Sequence, residues 1–303
     1  MAADSNDIHL PQTIQLTFPA LYNSADAAAI EHQRSFLRLL RFEYGLLLVA
    51  AIFSMGLSKT PWYFVLYAVV FIGTIICLIY RSTKKPEQDW YKCRALAESV
   101  KTSTWRYAMK TEPFLADTAN DARAAFRKYL ADVLASNQHI GEKIAGANSA
   151  GAQTTLEMDQ IRSFGWNERR RLYLNDRIKD QRTWYSRKAV LNKRLSERWV
   201  GGSLFVYGLA LVLVILHVAV PDWPYWPIEP LIVLASIFLG WTQIKKFNEL
   251  ASVYTLTAHE IGLIEGKLND VDTEKEFGNF VIEAEQAFSR EHTQWVARQT
   301  NLY

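Results

Sequence analysis

Glu285, Ser289 and His292 fall at i, i+4 and i+7, so one helical face would carry a carboxylate, a hydroxyl and an imidazole. Those are the side-chain types of nucleophilic acyl transfer. That chemistry also needs an oxyanion hole and a pocket, and the surrounding stretch offers neither, so the three read as polar groups satisfying one another on an exposed helix. The glycine-rich stretch GEKIAGANSAG lacks both a preceding strand and a lysine at phosphate-loop spacing. Two cysteines, Cys77 and Cys93, form no disulfide framework, and six scattered histidines have no ligand spacing. The residues therefore assign no catalytic, cofactor-binding or metal site, and the chain reads as a non-enzyme. A formal charge of +3 without a basic block interleaved with aromatics assigns no nucleic-acid partner either.

What remains is a segregation of apolar and charged sequence. Residues 62–80, WYFVLYAVVFIGTIICLIY, carry no charge, and at about 1.5 Å per residue they reach roughly 28 Å, close to a bilayer's hydrocarbon core. Residues 44–57 are also uncharged but reach only about 21 Å, so this span borrows its ends. Arg38 and Arg41 would snorkel beside Glu43 while Leu39, Leu40 and Phe42 enter the apolar layer. Uncharged or nearly uncharged runs return at 200–220 and 225–244, with Pro221–Pro224 as the turn between them. The expected fold is all-α, with four transmembrane helices in two hairpins plus long cytoplasmic helices. Trp62, Trp199, Trp223, Trp226 and Trp241 lie near the expected span ends, where amphipathic rings prefer the interface. A soluble bundle would have to cover every face of four all-round apolar helices, and most other segments are one-sided or polar.

Basic residues set the orientation. Arg34, Arg38, Arg41, Arg81, Lys84, Lys85, Lys188, Lys193, Arg194, Arg198, Lys245 and Lys246 flank the spans on the side of the long polar segments, whereas the short turns hold only Lys59. Both termini and the middle region are thus expected in the cytoplasm, and the N-terminus carries no secretory signal pattern. The domain reading is an N-terminal tail at 1–23, a helix–span–span–helix unit at 24–140, a small-residue linker at 141–154, and a second such unit at 155–303. Ser24 is the expected N-cap of the first helix.

Between the hairpins, Arg94, Glu98, Lys101 and Trp105 recur at helical spacing after Trp90, and Asp180, Trp184 and Lys188 do so before the third span. These residues are expected to form an interface with another helix or subunit. Within the spans, Ser54, Thr74, Ser203, Tyr207 and Ser236 are candidate pore-lining hydroxyls. Gly201 with Gly208, and Ser236 with Gly240, are candidates for close helix packing. Glu229, between Pro227 and Pro230, is placed at the outer mouth, at a helix N-terminus that favours its charge.

The segments PALYNSADAAAIEHQRSFLRLLR, DWYKCRALAESVKTSTWRYAMKTEPF, RIKDQRTWYSRKAVLNKR and VIEAEQAFSREHTQWVARQ resemble the bacterial SLATT proteins. These are two-transmembrane effector domains associated with SMODS nucleotidyltransferases and SLOG nucleotide sensors. The chain is similar to the tandem of a third-type followed by a first-type domain. The resemblance implies an inner-membrane effector of antiphage or other conflict systems that forms pores or perturbs the bilayer when a nucleotide-linked sensor partner is triggered. Spans with so few hydroxyls cannot line a wide channel alone, so a pore would require a homo-oligomer. The alternative is a non-conducting membrane scaffold that recruits partners through its cytoplasmic helices. A transporter is disfavoured by the lack of intramembrane charge at mid-depth.

Overall fold

The computed structural model describes residues 14–116, 118–144 and 150–300, with side chains described to residue 289 except that of His139. The expected tail at 1–23 and linker at 141–154 therefore lie partly outside the described residues. The described chain is all-α. Its helices are α1 (Ala20–Phe53), α2 (Pro61–Lys84), α3 (Pro86–Ala108), α4 (Ala119–Ser136), α5 (Leu156–Ser163), α6 (Trp166–Tyr173), α7 (Asp180–Ala219), α8 (Ile228–Lys245), α9 (Phe247–Lys267) and α10 (Glu274–Thr300). A π-helical segment, Leu174–Lys179, joins α6 to α7.

Helix ends follow local chemistry. Pro61 stands at the start of α2, where its missing N–H costs nothing, and Lys85 closes that helix in the left-handed region at φ 42°. Thr118 caps α4 by accepting from the Asp121 amide at 3.1 Å, and Thr155 caps α5 by accepting from Met158 at 3.2 Å. Ser24 is not a cap: α1 already begins at Ala20, directly after Pro19, and Ser24 is buried inside the helix. The chain breaks after Ser163, with Phe164 extended between α5 and α6.

Two compact units divide the chain, and each is assembled from stretches far apart in the sequence. A polar unit comprises the described residues of Met1–Asp26, Arg94–Tyr173 and Val271–Gln299. Its core is aromatic: Tyr107, Phe114 and Phe126 meet at centroid distances of 4.9–6.1 Å and are fully buried. Edge-on contacts of this kind stabilise beyond the area they bury.

A membrane unit comprises Ala27–Cys93 and Leu174–Asp270. Only 6% of the apolar window in α2 is buried, and Trp62, Phe64, Leu66, Val69, Ile72 and Ile76 are all more than half exposed. In water each such side chain would forgo roughly 1.5–3 kcal/mol of burial, so lipid is the medium that suits this surface. The soluble-bundle alternative fails on the same observation. Three helical stretches among the described residues are long and apolar enough to cross a membrane, containing α2, α7 and α8.

The first expected span, 44–57, is shorter than predicted, because α1 ends at Phe53. The Tyr63 hydroxyl reaches back from α2 to donate to the Phe53 carbonyl at 2.6 Å, and it accepts from the Leu57 amide at 3.2 Å. Gly56 then turns the chain at φ +67°, a conformation that L side chains resist. The uncharged part of α1 is thus only Tyr44–Phe53, about 15 Å of helix.

Candidate functional site

The polar unit is tied together by charged groups that sequence spacing did not single out. Arg162 on α5 is 4% exposed, and its guanidinium donates to the carbonyls of Tyr107 at 2.6 Å and Phe114 at 2.8 Å. Arg169 on α6 is 1% exposed and donates to the carbonyls of Phe164 and Met109 and to the Glu274 carboxylate. A planar guanidinium suits this work, because its donors point in fixed directions and bridge several acceptors at once. Burial pulls both arginine pKa values down, but a guanidinium remains charged. Asp159 accepts from the Tyr107 hydroxyl at 2.5 Å and from Arg123 at 2.8 Å. Burial first, and then the bond to Asp159, hold the Tyr107 phenol well above its ordinary range. These groups bind one another and the backbone, which makes them a clamp on the chain rather than a binding cleft.

The Glu285, Ser289 and His292 face is split by the fold. Glu285 is fully buried and accepts from the Tyr173 hydroxyl at 2.9 Å, whereas Ser289 is exposed. The side chain of His292 lies outside the described residues.

The stripe following Trp90 is engaged within its own chain. Arg94 forms the expected pair with Glu98 and also contacts Asp26 at 2.7 Å. Trp105 is 3% exposed and packs edge-on against Tyr173 at 5.6 Å. Lys101 is half-buried, and Trp90 lies against Tyr91 at 4.7 Å. In the membrane unit, Asp180 is exposed at the start of α7, while Trp184 meets Tyr254 of α9 at 5.6 Å. Lys188 sits 5.6 Å from the Trp184 ring. Arg182, between them, pairs with Glu265 of α9 at 2.9 Å.

The candidate lining hydroxyls are spent on nearby acceptors. Ser54 donates to Ala51, Thr74 to Val70 and Ser236 to Ile232, all within their own helices or helix ends. Ser203 of α7 donates to the Ala235 carbonyl of α8 at 3.0 Å, and Tyr207 lies 3.3 Å from the Ser236 hydroxyl. These two residues join the helices of the second hairpin instead of facing an open path. Glu229 is exposed in the first turn of α8, and nearby Trp226 stacks on His217 at 5.0 Å.

Glycine placement differs by position. A Cβ at Gly201 or Gly208 would meet nothing within 4 Å, whereas one at Gly202 would lie 3.2 Å from the Phe238 ring. The close approach of α7 to α8 therefore uses the adjacent glycine, about 100° around the helix. At Gly240 a Cβ would lie 2.8 Å from the Tyr44 hydroxyl oxygen, so α1 and α8 approach through this residue. Gly240→Ala is expected to destabilise the detergent-solubilised protein by about 1–3 kcal/mol, the usual range for overpacking. Adding Tyr44→Phe removes the clashing atom and should return most of the thermal midpoint; equal midpoints for the parent and Gly240→Ala would refute the contact.

The model for SMODS and SLOG-associating 2TM effector domain 3 matches residues 19–170, and that for SMODS and SLOG-associating 2TM effector domain 1 matches residues 173–295. No curated protein and no solved structure matches the chain. The two matched regions meet beside the π-helical segment that leads into α7. With apolar helices suited to lipid and both matches in tandem, the chain belongs to the SLATT family of membrane effector domains, a type-3 domain followed by a type-1 domain.

Proposed function

We propose that the protein is an oligomeric effector of the bacterial inner membrane that makes the bilayer leaky when several copies assemble. The observation carrying this reading is the uncovered apolar surface of α2 and α7, together with Gly201 and Gly208, where an added Cβ would meet nothing within 4 Å among the described residues. Small residues let a helix from another copy approach closely in lipid, where interhelical packing rather than water exclusion drives association. The candidate lining hydroxyls Ser54, Thr74, Ser203, Tyr207 and Ser236 are already bonded within one chain, so a water-tolerant path would have to arise between copies. In this reading α1 supplies the fourth crossing, both termini face the cytoplasm with the basic flanks, and Glu229 lies at the opposite surface. A partner that senses a nucleotide signal would set the trigger.

The bonded state of Ser54, Thr74, Ser203 and Ser236 specifically favours the second reading, a scaffold that conducts nothing. Purified protein reconstituted into dye-loaded liposomes separates the two. Leakage that rises more steeply than linearly with protein density, and that falls when Gly201→Leu and Gly208→Leu block the open face, is the expected result. Liposomes that stay sealed at every density, with and without nucleotides, while the copies still cross-link, would establish the scaffold.

A further inference from the structure

Two seams run along nearly opposite sides of α9, and its own chain fills one of them. Phe247, Thr257, Ile261 and the following Leu268 are buried, and Tyr254 among them meets Trp184 of α7 at 5.6 Å. On the other side, Glu249, Ser252, Leu256, His259, Leu263 and Gly266 recur at alternating steps of three and four residues, the heptad spacing of a helix pair, and every one is exposed. Leu256 is 61% exposed and Leu263 74%. Single exposed leucines are ordinary on a surface. Two of them one heptad apart, on a line without carboxylate or ammonium from Ser252 to Gly266, form a stripe suited to a second helix.

Lipid does not cover this stripe. Arg182 of α7 precedes the apolar run at 200–220 by about 27 Å of helix, and it pairs with Glu265 of α9 at 2.9 Å. α9 therefore runs away from the bilayer beside the polar half of α7, which leaves Leu256 and Leu263 about 15 and 26 Å of helix beyond Lys246. Copies inserted the same way round are related by rotation about the bilayer normal. Their α9 helices thus run parallel, with equal residues at equal depth.

That constraint makes the exposed line a parallel, in-register seam, with Glu249, Leu256 and Leu263 as a positions and Ser252, His259 and Gly266 as d positions. A d side chain of such a pair packs beside the e residue of the facing helix. The e residue after His259 is Glu260, which is also exposed. An imidazole then faces a carboxylate twice across the pair, so the surface is complementary to itself in charge as well as in shape. Glu249, the like charge at the bilayer end, already has Lys246 at 3.7 Å.

We propose that two copies of this chain pair through α9, with Leu256 and Leu263 packed against their equivalents and His259 beside Glu260 of the second copy. The pairing rests on the reading that copies assemble in one bilayer, and it stands whether or not the assembly conducts.

The full-length protein in liposomes, with one cysteine added at a time, tests the pairing. Leu256→Cys and Leu263→Cys are each expected to form dimers on oxidation, because the seam holds equal positions within the Cα separation of about 4.4–6.8 Å that a disulfide spans. Thr183→Cys, exposed on α7, and the parent, whose Cys77 and Cys93 are buried, should form none. Mixing Leu256→Cys copies with larger, tagged Leu263→Cys copies should give no mixed disulfide, since these positions lie about 10 Å apart along the helix. Glu260→Lys should weaken dimerisation about tenfold, and adding His259→Glu should restore most of the affinity. Leu256→Ser with Leu263→Ser should weaken it at least about tenfold, yet leave the thermal midpoint of the dilute monomer in detergent unchanged, because one chain leaves both side chains exposed. A lower midpoint would show that another segment of the same chain covers the stripe, and a mixed disulfide would show an antiparallel contact; either overturns the pairing. Added cysteines that stay reduced while amine cross-linking still captures dimers would move the assembly to another surface and leave the leakage reading standing. Protein that stays monomeric with every reagent and at every density would remove both.

Discussion

Replacing Arg162 with methionine is expected to cost the polar unit roughly 2–6 kcal/mol, because it strands two buried carbonyls at about 1–3 kcal/mol each. The carbonyls are those of Tyr107 and Phe114, which mark the last turn of α3 and the loop that follows it. Methionine fills much of the stem volume, so the loss would come from the bonds and not from a cavity. Against a total stability of about 5–15 kcal/mol for an ordinary domain, this is a large share. The expected signature is local as well as global. Amide hydrogen exchange at residues 107–116 should accelerate, while the apolar stretches of α2 and α8 stay protected. Arg162→Lys should fall between parent and Met variant, since one ammonium cannot reproduce the fork geometry that serves two diverging acceptors. If Arg162→Met keeps the parental midpoint and exchange pattern, the guanidinium clamp is not what holds this loop.

The contrast between what could and could not be read from the sequence has physical causes. The apolar runs of α2, α7 and α8 were legible because lipid imposes length and the absence of charge on a single segment, with no need to know its neighbours. The Arg94–Glu98 pair was legible because helix geometry alone brings i and i+4 together. Its second partner, Asp26, sits 68 residues away, and only the fold makes them neighbours. Arg162 and Arg169 were passed over because an arginine in a polar helix reads as solvated. The available signal was Arg162 falling beside the buried positions Met158 and Ile161 of the same short helix. Gly202 was missed in favour of Gly201 because a small residue announces close approach without saying from which side, and one position turns the face by about 100°. The end of α1 at Phe53 was hidden for a similar reason, since the Tyr63 hydroxyl that caps it belongs to the next helix.

That early end makes the ion pair below it decisive for α1. Glu43 is 7% exposed, and its carboxylate meets Arg81 at 3.1 and 3.2 Å, one residue from α1 and the other from the last turn of α2. Tyr44–Phe53 alone reaches about 15 Å, half of a hydrocarbon core of about 30 Å. A paired, hydrogen-bonded Glu43 can enter the apolar layer far more readily than a bare carboxylate, which would let the segment from Phe36 through Phe42 contribute to the crossing. Glu43→Ala leaves the Arg81 guanidinium without its partner in a partly buried place, and Arg81→Ala leaves the carboxylate so. Each single change is expected to destabilise the first hairpin by about 3–5 kcal/mol, the range for breaking one side of a buried pair. The double replacement Glu43→Leu with Arg81→Leu removes both charges and should recover most of the loss, as apolar substitutes for buried pairs commonly do. Thermal midpoints in detergent measure the first effect. Accessibility of a cysteine placed at Lys59 to a membrane-impermeant reagent measures the second, because a hairpin that fails to form shifts that turn relative to the bilayer. Singles as stable as the double, with unchanged labelling at position 59, would show that the pair is an incidental surface contact and that α1 reaches its depth by snorkelling alone.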